Sequence, residues 1–221
     1  MLFVWMIIYG CVFLLEKLPL PHGVFPACTA AFAALLLWWC LSREKQRLGL
    51  VRPVLSGRDC IWNMGVLLAL PVWQAIVLGS FAVSAFFPVF AAVLAEELFF
   101  RGFLPNYLGC KSVLRGAVGS AILFAALHSV NLAAGWDGAY VAVQIVVAFS
   151  AGLYWAFIRW RYRSVIPSVV AHLLVNLTGT AAGANDLSRL LPGLCICCLL
   201  MLGSSVKLYR RIDGGVYEAI Y

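Results

Sequence analysis

YVAVQIVVAFSAGLYWAFI, Tyr140 to Ile158, holds nineteen residues without a single charge. At 1.5 Å per residue a helix of this length covers about 28 Å, close to the hydrocarbon thickness of a bilayer. The run is apolar throughout and lacks the alternation that a membrane barrel strand shows. In lipid the backbone must bond to itself, so the run is expected to be a membrane-crossing helix.

The same reading extends along the chain. Further apolar segments are expected at Leu2–Leu15, Val24–Leu41, Ile61–Phe86, from about Pro88 past Glu96, Leu114–Val130, Val165–Thr178 and Leu187–Leu208. Pro71 is a candidate kink inside the third of these eight segments. The fold class is therefore an all-α, polytopic membrane helix bundle of about eight transmembrane helices. No repeat or soluble insertion divides it, so residues 1–221 form one membrane domain.

Composition agrees. Hydrophobic residues make up 64% of the chain, charged residues 11%, and mean hydropathy is +0.97. A soluble domain of this size needs more polar surface. The net charge of +7 is spread over the loops between apolar runs. A nucleic-acid partner is thereby excluded, and the lipid bilayer is the implied surrounding. Six of the eight cysteines lie within apolar runs and read as small apolar helix residues. Cys195 and Cys198 have C-x-x-C spacing, but inside an apolar run and without a second pair. Met1–Leu15 lacks the positive start and the cleavage site of a signal peptide and is read as a retained first helix.

Charge placement sets an orientation. With the loop Ser42–Asp59 in the cytoplasm, eight alternating crossings put both termini inside. The inside segments then carry Arg43, Lys45, Arg47, Arg52, Arg58, Lys111, Arg115, Arg159, Arg161, Arg163, Lys207, Arg210 and Arg211, and the outside segments only Lys17 and Arg189. That asymmetry is the positive-inside pattern.

Ionisable groups within membrane helices are costly and are functional candidates by default. Here they are Glu96, Glu97, Arg101, His128 and His172; His22 falls in an outside loop. Glu97 and Arg101, four residues apart with the acid first, form an ion pair on one helix face. Glu96 lies about 100° away around the helix and is left for chemistry. Phe124 and His128 share a face, so the ring can pack over the imidazole. His172 and Asn176 share another face, and both can donate hydrogen bonds, as an oxyanion hole requires. By the expected boundaries, Glu96 and His172 sit near the cytoplasmic ends of their helices, while His128 is about 21 Å deep.

Four short patterns occur in order: Glu96-Glu97-Leu98-Phe99-Phe100-Arg101 as E-E-x-x-x-R, Phe124-Ala125-Ala126-Leu127-His128 as F-x-x-x-H, Phe149-Ser150-Ala151-Gly152 as aromatic-x-x-glycine, and His172-Leu173-Leu174-Val175-Asn176 as H-x-x-x-N. Together they resemble the CAAX protease and bacteriocin-processing family, the Abi or type II CAAX prenyl endopeptidase-like membrane proteases. The resemblance covers about residues 86–178, the expected catalytic core. It implies a glutamate-dependent, metal-independent intramembrane peptidase without a cofactor. Carried over by motif position, Glu96 and His128 would activate water, His172 and Asn176 would stabilise the oxyanion, and Glu97, Arg101 and Phe124 would support the site.

Three other readings use the same residues. Glu96, His128 and His172 make a two-histidine, one-carboxylate set for zinc, though H-E-x-x-H is absent. The family also includes members tied to bacteriocin immunity and scaffolding. Buried carboxylates relay protons in transporters, but no repeat or paired broken helices are visible. The expected partner is a membrane-anchored protein or peptide substrate, cut in maturation or sorting. The short loops and small size fit a prokaryotic cytoplasmic membrane.

Overall fold

The computed structural model describes residues 24–43, 45–55, 59–108, 112–179 and 186–213. The expected first segment, Leu2–Leu15, and His22 lie outside these. Among the described residues ten α-helices follow in order: α1 Val24–Arg43, α2 Lys45–Leu48, α3 Cys60–Leu78, α4 Phe86–Glu97, α5 Leu104–Leu108, α6 Val113–Leu127, α7 Val130–Ala133, α8 Gly138–Tyr162, α9 Ile166–Gly179 and α10 Leu187–Asp213. No strand occurs among the described residues.

Among the described residues, five stretches are long and apolar enough to cross a membrane: Cys60–Leu78, Val83–Leu108, Val113–Ala133, Gly138–Tyr162 and Leu187–Ile212. Ala27–Arg43 and Ile166–Gly179 are shorter apolar helices. The surface matches a lipid environment. Ile61, Ile76 and Leu199 point outward, each at least 70% exposed, while Glu97, Arg101, Ser120 and Ser168 are buried. A soluble protein does the reverse.

Helix α8 is the centre of the bundle, packed against α6 on one side and α10 on the other, with α3 closing on α10 and α9. Its second half, including Tyr154, Trp155, Phe157 and Ile158, is buried and forms the main core with Leu67, Leu70, Leu194 and Met201. A second core joins α1 to α4 through Phe32, Leu36, Ala91 and Leu94. Asn63 ties α3 to α8: its amide donates to the Tyr162 hydroxyl (2.9 Å), and its carbonyl accepts from the Tyr154 hydroxyl (2.8 Å).

Two expected boundaries are corrected. The segment expected as Ile61–Phe86 is not one helix. It ends at Leu78, where Gly79 turns left-handed (φ 62°) and its N–H caps the Ala75 carbonyl. A 3-10 turn, Val83–Ala85, then leads into α4. Hydropathy alone is blind to this stop, because the residues after it are also apolar. The second correction concerns Glu96, expected near a helix end. The chain continues helical beyond it, through a π-helical turn at Leu98–Phe103 and into α5, so the span runs twelve residues past Glu96 to Leu108. That puts Glu96 about 18 Å from that end and His128 about 22 Å from Val113, at comparable depth.

The π turn is held from outside. The Leu104 N–H reaches back five residues to the Phe99 carbonyl. The Ser120 hydroxyl donates to the Phe100 carbonyl (2.8 Å), and the Asn106 amide donates to the Gly102 carbonyl (2.9 Å). Single π turns inside α-helices are frequent at functional sites, and this one immediately follows the two glutamates.

Candidate active site

The centre is a chain of charges running inward. The Arg101 guanidinium is 3.0 Å from Glu97 Oε1, and both side chains are fully buried. The same carboxylate oxygen takes the Nδ1–H of His172 at 2.9 Å. On the other edge of that imidazole, Nε2 lies 3.8 Å from Glu96 Oε2. Glu97 therefore does more than neutralise Arg101, the structural part expected of it. It also holds His172, which the sequence places 75 residues away.

The two glutamates differ in access. Glu97 has no exposed side chain, whereas Glu96 is 26% exposed and faces a cavity of about 1060 Å³ inside the bundle. His128, His172, Asn176 and Phe124 line the same cavity. The structure thus brings together residues expected separately on α4, the end of α6, and α9.

Aromatic rings fix the imidazoles. Phe124 meets His128 edge-on at 5.0 Å and His172 edge-on at 5.7 Å. Trp155 lies against the other side of His172 at 5.0 Å. Arg101 stacks over Phe124 (4.1 Å) and faces Trp155 (5.2 Å), a cation–π arrangement suited to a buried guanidinium. His128 bonds through Nδ1 to the Phe124 carbonyl at 2.9 Å. A carbonyl only accepts, so Nδ1 carries the proton there and Nε2 of the neutral ring is left as an acceptor.

Gly152 explains the aromatic-x-x-glycine element. A Cβ at this position would stand 3.2 Å from the Phe124 ring, 3.4 Å from Ala121 Cα and 3.5 Å from Arg101 Nη2. A methyl here would press on the Phe124 ring by a few tenths of an ångström, and any larger side chain would have no room, so glycine suits the close approach of α8 to α6 and the buried guanidinium.

Several cavity residues were not among the expected ones. Trp155 is one. Three carboxamides are others: Gln74, whose oxygen accepts from the Thr178 hydroxyl (2.9 Å), and Asn131, whose amide donates to Gln144 Oε1 (2.8 Å). Gln144 is the one carboxamide in Tyr140–Ile158, and being uncharged it lacks the burial cost that makes the glutamates and histidines conspicuous. Among the described residues, no three His, Cys, Asp or Glu side chains form a group suited to holding a metal ion.

Fold and site define a multi-pass membrane protein with a carboxylate–imidazole centre enclosed by its helices. Residues 71–178 match the family described as Type II CAAX prenyl endopeptidase Rce1-like, and this stretch of the chain belongs to the CAAX protease family, which implies a membrane protease acting on membrane-associated substrates. The match begins upstream of the expected core and takes in the second half of α3, with Gln74. No curated protein and no solved structure matches the chain.

Proposed function

We propose that the protein is a glutamate-dependent, metal-independent intramembrane endopeptidase that cuts a membrane-anchored protein or peptide near its C-terminus, in maturation or sorting. Eight crossings in a prokaryotic cytoplasmic membrane, with both termini in the cytoplasm, complete the reading.

One observation supports it above the rest: His172 stands between two carboxylates, one sealed against Arg101 and the other open to the cavity. With Glu96 and Glu97 ionised and Arg101 and His172 protonated, the four groups sum to zero charge, which suits a cluster in which three of the four side chains are buried. In that state Glu96 is a competent base, and His172 has N–H groups on both ring nitrogens. Nδ1–H is committed to Glu97, leaving Nε2–H for an oxyanion.

The chemistry then follows. A water molecule between Glu96 and His128 Nε2 attacks the scissile carbonyl carbon, and Glu96 takes its proton. The carbonyl oxygen becomes an oxyanion, received by His172 Nε2–H and the Asn176 amide one turn further along α9. As the C–N bond breaks, the proton on Glu96 passes to the leaving amine, and the carboxylate is regenerated.

The test is comparative. Cells carrying Glu96→Ala are expected to accumulate membrane proteins in uncut form that the unmodified chain processes. Identical membrane proteomes in the two strains would overturn the reading.

A further inference from the structure

We infer that Asn131 and Gln144 form a subsite that grips one backbone peptide unit of an extended substrate segment; the inference deepens the protease reading above by specifying how the cavity holds its substrate.

The two carboxamides come from different elements, Asn131 from α7 and Gln144 from α8, and meet at 2.8 Å on the wall of the cavity that Glu96 faces. Both are partly exposed to it. The Asn131 backbone N–H bonds to the His128 carbonyl (3.1 Å), so the pair stands one turn from the imidazole proposed to handle water. Gln144 is the seventh residue of the Gly138–Tyr162 span, and Asn131 lies within Val113–Ala133. Asn131 is third from the end of its span, so it is Gln144, about 9 Å inside its own, whose carboxamide is costly unless its hydrogen-bonding capacity is used.

Their mutual bond uses only part of it. Whichever way each amide is turned, one N–H meets one oxygen, and the pair is left with one carbonyl oxygen and three N–H bonds. Among the described residues no other side chain takes these up. The leftover set is an acceptor beside donors, the complement of the N–H and C=O of a peptide group. An acyl chain has neither partner and would leave the pair unmatched. A polypeptide drawn out of its own helix to be cut exposes such groups, and where the segment displaces water from the cavity wall, the wall must offer them partners. The mostly apolar lining of the cavity, including Leu70, Val143 and Val147, suits apolar side chains on that segment.

The experiment uses the full-length chain with Glu96→Gln, so that bound peptide stays intact, in phosphatidylcholine nanodiscs. The probe is a fluorescent alanine–leucine peptide together with copies N-methylated at one backbone amide each, which removes that N–H. Methylation at one position near the centre is expected to raise Kd about tenfold, the value of one good hydrogen bond. Asn131→Leu, which deletes the acceptor, is expected to cut that penalty below about twofold, and Gln144→Met to weaken it similarly. A flat methylation scan, an absence of peptide binding, or a positional penalty untouched by both substitutions would overturn the inference. The scan decides without either variant, so misfolding of one does not rescue it. Cleavage by the unmutated chain is scored separately: binding with the expected pattern but no cleavage overturns the protease reading and leaves the subsite standing.

Discussion

His172 Nδ1 lies 2.9 Å from Glu97 Oε1, the same oxygen that the Arg101 guanidinium holds at 3.0 Å. One carboxylate atom therefore fixes both a buried cation and the imidazole that reaches toward Glu96. The orientation of the site depends on a residue that does not itself open onto the cavity.

Glu97→Gln is expected to lose stability as well as activity. It leaves Arg101 buried beside a neutral group, and breaking a buried pair costs about 3–5 kcal/mol. Thermal unfolding in detergent should show a clear drop in Tm. Adding Arg101→Met to Glu97→Gln removes the stranded charge and is expected to recover part of the stability but none of the activity. A Glu97→Gln protein as stable and active as the unmodified chain would contradict the geometry.

Glu96→Gln separates chemistry from folding. Glu96 is partly exposed and stands 3.8 Å from His172 rather than in the close, fully buried pair with Arg101, so its substitution is expected to lower Tm much less than Glu97→Gln does. Removing a general base lowers rate by about 10²–10⁴-fold. Substrate accumulation in cells, measured beside Tm of the purified variant, checks both halves. Asn176→Ala is expected to lower rate by about 10²–10³-fold, the scale of one oxyanion donor.

Gly152→Val tests the close approach of α8 to α6. Its side chain would enter space held by Phe124, Ala121 and Arg101. Overpacking of this kind costs about 1–3 kcal/mol. Since Phe124 also touches both imidazoles, activity should fall together with Tm. Gly203→Ala is the control, because nothing lies within 4 Å of a Cβ there.

Metal independence is checked by chelation. Purified protein dialysed against a strong zinc chelator is expected to keep full cleavage activity and to carry less than stoichiometric zinc by elemental analysis. Loss of activity on chelation, restored by zinc, would replace the proposed water activation with a metal-bound one.

Topology is checked by reporter fusions at the C-terminus. A reporter that matures only in the cytoplasm should be active there, and one that matures only outside should be silent. The opposite pattern would mean an odd number of crossings or an inverted orientation.

Solvent, helices and chemical inventory were all legible in the order of residues alone. Long uncharged runs such as Tyr140–Ile158 admit only helices in lipid, because each backbone group must find its partner within the run. The rarity of charge within those runs made Glu96, Glu97, Arg101, His128 and His172 conspicuous, and i,i+4 spacing identified the Glu97–Arg101 and His172–Asn176 faces. Where the runs break and which faces meet came from packing in three dimensions. The left-handed turn at Gly79 and the π turn after Glu97 lie among apolar residues on both sides, so hydropathy carries no sign of them. The Glu97–His172 bond joins residues 75 positions apart, and helical periodicity relates only neighbours on one helix. The depth of Glu96 changed for the same reason: it depends on how far the helix continues beyond it, and that continuation rests on Ser120 and Asn106, which bond to carbonyls of the π turn from outside it.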